Sequence, residues 1–457
     1  MVYINDCAKE TNVASFLIVC YRYIAVVNKE LLRLAIPNIL SNVSVPLLSS
    51  VDTALMGHLS TEHLGAVGIA SMMFNFLYWN FGFLRMGTTG LTAQAFGAND
   101  MESQGATLLS ASALALIIAV LLWVLQVPLF GLAHSLMNVP SDYGVLVSDY
   151  FYTRMWAAPA TLMLYVLLGW LFGQQNATFP LIIAIFSNLV NIAFSVYWVK
   201  VVDLGTIGVA LGTVVAQYAS LALALGMIWY RYPEKVSIIR LTWLKEFDRF
   251  GRLLKVNADI FLRTLSLTFA FGFFYSQSAA ASGLALATTT VLLQFLNWMS
   301  YAVDGFAYAA EAMVGKYVGA ASYSGARKAI KLSMAYGMAL AVLFSMGYWL
   351  AGDQLIAVFT SEFEVQELAK EYMLYIILLP LIGTACYIWD GVFIGLTATR
   401  TMRNLMWIAL VGYLASYYLL LSNIGQLSAL WISLLIFLGL RGLLQSGAYM
   451  IKGLALN

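Results

Sequence analysis

The sequence predicts an all-α integral membrane protein with twelve transmembrane helices in two six-helix lobes. Hydrophobic residues make up 61% of the 457 residues and charged residues only 10%, against about 45–50% and 25% in soluble domains. Twelve apolar stretches are long enough to cross about 30 Å of hydrocarbon as helices. Glycine positions also repeat at about half the chain length, which predicts a duplicated unit.

The apolar stretches give the order of the predicted helices. The alternating polarity of an outer-membrane barrel is absent. The twelve predicted spans, six in each half, are 31–57, 64–96, 106–130, 146–173, 177–200, 207–230, 255–278, 284–315, 329–351, 371–397, 403–422 and 428–450.

The repeat is visible in paired glycines. Gly97 recurs as Gly319 and Gly169 recurs as Gly391, and the displacement along the chain is the same in both pairs. Because each half holds an even number of spans, the second copy enters the membrane in the same orientation as the first. We expect the halves to be related by a pseudo-two-fold axis along the membrane normal.

The predicted domain boundaries follow from composition. An interfacial or disordered leader covers 1–30, the first lobe 31–230, a charged linker 231–254 and the second lobe 255–457. Basic residues concentrate in this linker and in the other loops on the same side. By the positive-inside rule we expect a multi-pass protein of the inner (plasma) membrane with both termini and the linker in the cytoplasm.

Several functional classes are disfavoured. The net charge of +2 does not indicate nucleic-acid binding, and no phosphate-binding P-loop or metal-site spacing occurs. The three cysteines are too few for a disulfide framework, and no clustered nucleophile and base indicates an enzyme. We expect no metal site and no cofactor apart from a coupling ion. The expected partners are small organic substrates and the lipid bilayer, and we expect a monomer to function.

Span 1 carries a polar stripe that includes an acid. Asn38, Asn42, Val45, Ser49 and Asp52 share one face at alternating steps of four and three residues. An ionisable group inside the membrane is by default a proton or ion site, and a structural hydrogen bond is the alternative. We therefore assign proton or cation coupling to Asp52.

Two prolines interrupt the same span. Pro37 and Pro46 each remove a backbone donor, and Pro46 cannot bond to the carbonyl of Asn42. We expect span 1 to bend at these positions.

Spans 5 and 6 offer polar groups for the same cavity. Asn188, Asn191 and Ser195 follow each other at steps of three and four on span 5, and Thr213 lies on span 6. These side chains either face Asp52 in a first-lobe cavity or form hydrogen bonds between helices.

The second half has its own acids. Asp304, Tyr308 and Glu311 lie on one face of span 8, and Asp390 lies in span 10. They predict a hydrated polar cavity. The alternative is structural pairing with an arginine inside the membrane, namely Arg85, Arg154 or Arg263. For Arg263 itself, the four-residue spacing from Asp259 favours an ion pair within one helix.

At this point the chain resembles a known family. The runs 34–37, 46–59, 83–98, 304–309 and 390–395 are similar to the MATE (multidrug and toxic compound extrusion) transporters, specifically the DinF branch. The resemblance covers about 31–450 and implies a V-shaped exporter driven by inward flow of H⁺ or Na⁺. It also implies that Asp52 is the proton or cation site of the first lobe.

The resemblance extends to the other first-lobe positions with one departure. The span 5 asparagines of the family match Asn188 and Asn191, and its span 6 threonine matches Thr213, but its span 5 aspartate aligns with Ser195. Asp52 therefore lacks the usual acidic neighbour. In the second lobe, Asp390 is similar in place to an acid of other MATE branches.

These observations lead to a functional hypothesis. We expect an antiporter that exports amphipathic, often cationic organic compounds by alternating access, coupled to H⁺ rather than Na⁺ because a sodium site needs several oxygen ligands. The alternatives are a Na⁺-coupled exporter and a flippase for lipid-linked glycans, which would need a broader basic cavity.

Overall fold

The computed structural model describes residues 26–43, 55, 61–137, 139–240, 242–243 and 246–454. Over these ranges the chain is built from helices joined by short turns. The first described helix, α1, covers 26–43, so that residues 26–30 of the predicted leader are already helical. The rest of the first half forms α2 (Thr61–Asn80), α3 (Phe83–Gly97), α4 (Met101–Val124), α5 (Gln126–Leu136), α6 (Gly144–Met155), α7 (Ala158–Gly173), α8 (Thr178–Lys200) and α9 (Gly205–Arg231).

The second half follows a short linker helix. It consists of α10 (Pro233–Ser237), α11 (Phe247–Ala281), α12 (Gly283–Gly319), α13 (Tyr323–Phe359), α14 (Phe363–Glu371), α15 (Met373–Gly395), α16 (Thr399–Ile424) and α17 (Gln426–Lys452). Helix α11 begins inside the predicted linker, at Phe247.

The helices are long and apolar, as the composition requires. Within the described ranges nine helical segments could cross a membrane by length and hydropathy, or ten if one bent pair counts as a span. The 37-residue helix α12 is not among them because threonine, glutamine, asparagine and acidic side chains lower its mean hydropathy. The all-helical membrane fold expected from the sequence is confirmed.

One predicted span is broken by a sharp bend. The stretch 146–173 forms α6 and α7, whose axes differ by 51° across the break. Pro159 lies in the first turn of α7, where its missing amide hydrogen is not needed and its fixed φ favours a helix start. The same proline cannot continue α6, and the chain bends there.

The buried side chains explain how the helices pack. Trp170, Trp431 and Phe274 are completely buried, and the ring of Phe274 meets that of Trp431 edge to face with centroids 5.0 Å apart. In contrast, other large apolar side chains are exposed; Leu443, for example, is 71% exposed. On membrane-spanning helices this exposed apolar surface faces lipid.

Glycines allow two helix pairs to approach closely. A Cβ at Gly169 of α7 would overlap the backbone carbonyl of Arg85 on α3, and a Cβ at Gly391 of α15 would overlap that of Ala307 on α12. Arg85 and Ala307 are separated along the chain by the same distance as the two glycines. The repeat in the sequence is therefore also a repeat of helix contacts.

The chain divides into two compact units. One comprises residues up to Ile39, the turn Phe96–Asn99 and Leu262–Asn457; the other comprises Leu40–Ala95 and Asp100–Phe261. The division between them in the second half falls within α11 rather than in the loop before it.

The linker is attached to the unit that contains α4 and α7. Lys235 Nζ on α10 donates to Gln104 Oε1 at 2.8 Å and to Gln174 Oε1. Gln174 Nε2 in turn donates to Gln104 Oε1 at 2.9 Å. Burial lowers the pKa of Lys235, Arg231 adds to this effect, and Glu234 opposes it. Tyr232, beside this cluster, accepts a hydrogen bond from Asn176.

Candidate functional site

Within the described part of the chain, a buried polar cluster surrounds Asp390 on α15. Arg263 of α11 and Arg441 of α17 both donate through Nη2 to Asp390 Oδ2, the second at 2.7 Å. Gln445, one turn after Arg441, donates through Nε2 to Asp390 Oδ1 at 2.7 Å. One carboxylate thus joins α11, α15 and α17.

All members of this cluster are withdrawn from solvent. Asp390 is 8% exposed, Arg263 7%, Arg441 2% and Gln445 3%. Buried charges are stable only when they are paired and hydrogen-bonded, and the two guanidinium groups supply that pairing. Arg441 Nε and Nη1 and Gln445 Oε1 are buried without a hydrogen-bond partner among the described residues. The cluster could therefore donate and accept further hydrogen bonds.

Helix α12 brings the other predicted acids close to the same cluster. The charge of Asp304 acts on Arg263 and also on Cys386 and Tyr387 of α15. Glu311 lies two turns further along α12, where it is 1% exposed. Its backbone carbonyl meets Gly395.

The second-lobe cavity stays a prediction, and the structure shows where the residues assigned to it lie. The structure gathers Asp304 and Asp390 around Arg263, while Tyr308 and Glu311 follow on the same helix as Asp304. For Asp390 the alternative of arginine pairing is the one observed. Arg263 was expected to pair with Asp259 on its own helix, and that expectation overlooked its contact with Asp390 across α11 and α15.

Arg441 was missed by sequence reasoning. It is the only basic residue between Gly425 and Tyr449 on α17, and an arginine alone in an apolar helix needs a buried anion. That signal was present in the sequence, but it does not identify the partner.

The other two membrane arginines have partners of a different kind. Arg154 Nη1 donates to the hydroxyl of Tyr150 at 2.6 Å, and its guanidinium lies 4.9 Å from the ring centroid of Phe74. The guanidinium of Arg85 lies 5.9 Å from the ring centroid of Phe172. Cation–π contacts of this kind stabilise a cation away from water.

The first-half polar residues meet between α8 and α9. Asn191 Nδ2 donates to Thr213 Oγ1 at 3.0 Å, and Ser195 packs on Gly212, where a Cβ would overlap its hydroxyl. Asn191 is 1% exposed and Ser195 is fully buried. Asn191 Oδ1 and Ser195 Oγ have no hydrogen-bond partner within the described residues. Since buried polar atoms are normally paired, this face can accept a further group.

Part of the predicted coupling site can be placed. Asn38 is 2% exposed on α1, Asn42 lies one turn later, and the chain is helical on both sides of Pro37. Asn188 lies on α8, one turn before Asn191. Ser49, Asp52 and Pro46 lie outside the described residues, so the coupling assignment and the bend remain predictions.

The comparison with known families is decisive at this point. The model of the MatE family matches residues 37–197 and, a second time, 260–419. The chain belongs to the MATE family. It is therefore a transporter and not an enzyme, and the two matches lie in the two halves of the repeat.

Relatives of this MATE transporter cover most of its length. It is 39% identical to the DNA damage-inducible protein F of Escherichia coli over 93% of both chains. It is 29% identical to a probable multidrug resistance protein NorM of Pseudomonas putida over 72% of both chains. The first of these relatives agrees with the resemblance to the DinF branch.

Solved structures agree on the fold. The eukaryotic MATE transporter AtDTX14 superposes with a TM-score of 0.85 at 18% identity, covering 94% of this chain and 97% of that one. The Vibrio cholerae MATE transporter VcmN in its bent form gives a TM-score of 0.82 at 20% identity, covering 95% and 98%. The chain is a multi-pass membrane transporter with the MATE fold.

Proposed function

We propose that this MATE transporter is an antiporter that exports amphipathic, often cationic organic compounds in exchange for inward-moving H⁺. Its relatives include proteins named for multidrug resistance and for multidrug and toxin extrusion, which supports the substrate class. The proposed location is the inner (plasma) membrane, with both termini and the basic linker on the cytoplasmic side, as the distribution of lysine and arginine favours.

The observation that carries the coupling proposal is the polar face between α8 and α9. Asn191 Oδ1 and Ser195 Oγ are buried without partners in the described part of the chain. They lie in the compact unit that includes Leu40–Ala95. A carboxylic acid at Asp52 could use such groups as hydrogen-bond partners in either protonation state. Position 195 is a serine in this chain, whereas the family pattern has an aspartate there. We therefore propose Asp52 as the proton carrier of the first lobe.

In the proposed cycle, Asp52 takes up a proton while the cavity is open to the outside. Loss of its charge changes the hydrogen bonding of span 1, the helix rearranges, and the substrate is expelled. Opening to the cytoplasm then releases the proton. One charge moving through 100 mV supplies about 2.3 kcal/mol, and a tenfold substrate gradient requires about 1.4 kcal/mol. For a neutral substrate, one proton per cycle is therefore enough to export it against a tenfold gradient. For a substrate with one positive charge the one-for-one exchange moves no net charge, so the pH gradient alone drives it.

The test is substrate transport with Asp52→Asn in proteoliposomes. We expect the variant to lose pH-gradient-driven ethidium transport by about a hundredfold or more, the range in which removal of a proton-transfer group falls. Asp142→Asn, an exposed acid on the turn before α6, is the matched control and should transport at the wild-type rate. Full transport by Asp52→Asn under a pH gradient would show that the coupling residue is another.

Two alternatives are separated by the same preparation. Transport driven by a Na⁺ gradient at equal pH on both sides would indicate Na⁺ coupling. Movement of a pyrophosphate-linked lipid without ethidium transport would indicate a flippase. Arg154 and Arg263 already contact protein groups, which weighs against a spare basic cavity for diphosphate.

A further inference from the structure

We propose that Asp390 exchanges no coupling ion, because Arg263 and Arg441 act as fixed internal cations that occupy it throughout the cycle. The inference rests on the proposed function, since it concerns how many ions are exchanged for each substrate molecule. It makes the two arginines determinants of the coupling ratio.

The geometry leaves little of the carboxylate for an incoming ion. Two guanidinium groups share Oδ2, and the amide of Gln445 occupies Oδ1. The three donors come from two helices that flank α15. A mobile proton or sodium ion would have to displace a tethered donor at either oxygen.

Burial makes that displacement unfavourable. The side chain of Asp390 is 11% exposed, and those of Arg263 and Arg441 are 8% and 2% exposed. If Asp390 were neutralised, two cations would remain in a low-dielectric interior without their anion, and an unpaired buried charge is far more costly than a paired one. The arginines therefore keep the carboxylate in its ionised form.

Other groups near the two arginines also compensate their positive charge. Asp304 of α12 acts on Arg263, and Arg441 lies 6.0 Å from the ring centroid of Tyr387 and 5.4 Å from that of Phe437. Helix α15 also packs on α13, where Gly337 lies against Ile388 and Thr384. Arg263 and Arg441 thus face two carboxylates, and an additional cation would not improve the balance.

The cluster has no counterpart in the first half. In the register of the glycine repeat, the first-half positions that correspond to Asp390, Arg263, Arg441 and Gln445 are Leu168, Ser41, Ala219 and Leu223. The helix contacts are duplicated but this charge network is not. It is a feature of the second half alone, separate from the polar face that contains Asn191 and Ser195.

The coupling ratio can be measured by a balance-point experiment. Purified protein is reconstituted in liposomes, the membrane potential is held at zero with valinomycin and equal K⁺, and ethidium is given a tenfold gradient. The pH gradient that stops net ethidium flux then gives the ratio. One proton per ethidium balances at about one pH unit and two protons at about half a unit. A parallel series with Na⁺ gradients covers the other ion.

Two kinds of variant test the role of the arginines. The charge-balanced double variant Asp390→Asn/Arg441→Gln removes one anion and one cation, and we expect it to keep the wild-type balance point. The double variant Arg263→Gln/Arg441→Gln leaves Asp390 buried without a cation, which favours uptake of a proton. We expect its balance point to fall, from about one pH unit to about half a unit if the wild type moves one proton.

The outcomes separate the inference from the proposed function. If the Asp390→Asn/Arg441→Gln variant moves one ion fewer per ethidium than the wild type, Asp390 is an exchange site and the inference is wrong. If that variant does not fold, the other charge-balanced double variant, Asp390→Asn/Arg263→Gln, gives a second measurement of the same number. Wild-type flux that responds to neither gradient overturns the proposed function, and with it the inference.

Discussion

Single positions at the helix crossings tolerate very little change. Gly169 and Gly391 each lie against a backbone carbonyl of a neighbouring helix, and a backbone carbonyl cannot turn aside as a flexible side chain can. The nearby pairs Gly173 with Thr92 and Gly395 with Val314 repeat this relation in the same register of the two halves. At these sites the absence of a side chain permits the helix contact.

We predict that Gly391→Ala destabilises the protein by about 1–3 kcal/mol, the usual cost of overpacking. The added methyl group must push α12 and α15 apart. The control is Gly347→Ala on α13, where a Cβ meets nothing within 4 Å and the better helix propensity of alanine favours folding by about 1 kcal/mol. In thermal unfolding in detergent, the melting temperature of Gly391→Ala should lie below that of the wild type and the melting temperature of Gly347→Ala above it. Equal melting temperatures would show that α12 and α15 are not in close contact at this crossing.

The residue-level partners were the least predictable part of the structure. The four-residue spacing of Asp259 and Arg263 satisfies a local rule, but Arg263 contacts Asp390, which lies 127 residues away along the chain. Spacing rules describe one helix and contain no information on which helix lies beside it. Arg441 was hidden because the apolar run around it is long enough to define a span in spite of one charge.

Helix starts are set by short-range groups that the sequence does reveal. Asp100 caps α4 by accepting from the backbone amide of Ser103 at 2.9 Å, and Ser282 caps α12 by accepting from that of Ala285 at 2.9 Å. Each cap satisfies one of the amides that a helix leaves unpaired in its first turn. The sequence analysis placed the long helices from their apolar runs and did not use these caps. The bend between α6 and α7 depends on Pro159 and was not predicted.

We predict that Asp100→Ala lowers the free energy of unfolding by about 1 kcal/mol near neutral pH, the usual effect of losing an N-cap. Hydrogen bonds from the hydroxyl and amide of Ser103 lower the pKa of Asp100 below its ordinary value of 3.8. Because the folded-state pKa lies below the unfolded-state pKa, the contribution is present above pH 3.8 and is lost as pH falls through the folded value.

Melting curves of wild type and Asp100→Ala at a series of pH values test this prediction. The difference between the two proteins should be largest near pH 7 and shrink toward pH 3. Asp100→Asn, which keeps a capping oxygen without the charge, should lose less stability than Asp100→Ala at pH 7. A difference that does not change with pH would show that the charge of Asp100 contributes nothing.

At the scale of the whole molecule, one fold was duplicated and its chemistry was not. The glycine contacts of α3 with α7 recur in those of α12 with α15, so the repeat predicted from the sequence is a repeat of packing. The polar groups differ between the halves: amide and hydroxyl groups on α8 and α9, and a charge network on α11, α15 and α17. Packing repeats could be predicted because glycines mark them, whereas the charge network depends on distant contacts.

The connection between the two halves begins as a docked segment. Lys235 on α10 holds the amide oxygens of Gln104 and Gln174, and Trp243 is 5% exposed and lies against Gly105. This first part of the linker is therefore attached to the start of α4 and to the end of α7.

We predict that Lys235→Met frees this segment. The variant leaves the amide oxygen of Gln174 without its donor, which costs about 1–3 kcal/mol when the group is buried; Gln174 is 5% exposed. Cleavage of a transiently opened segment follows the population of the open form, so thermolysin should cut between 231 and 246 about tenfold faster, each tenfold corresponding to about 1.4 kcal/mol. Arg240→Met changes an exposed side chain of the same linker and should leave the cleavage rate unchanged. Equal rates in all three proteins would mean that Lys235 does not hold the linker, and that its hydrogen bonds to Gln104 and Gln174 contribute no net stability.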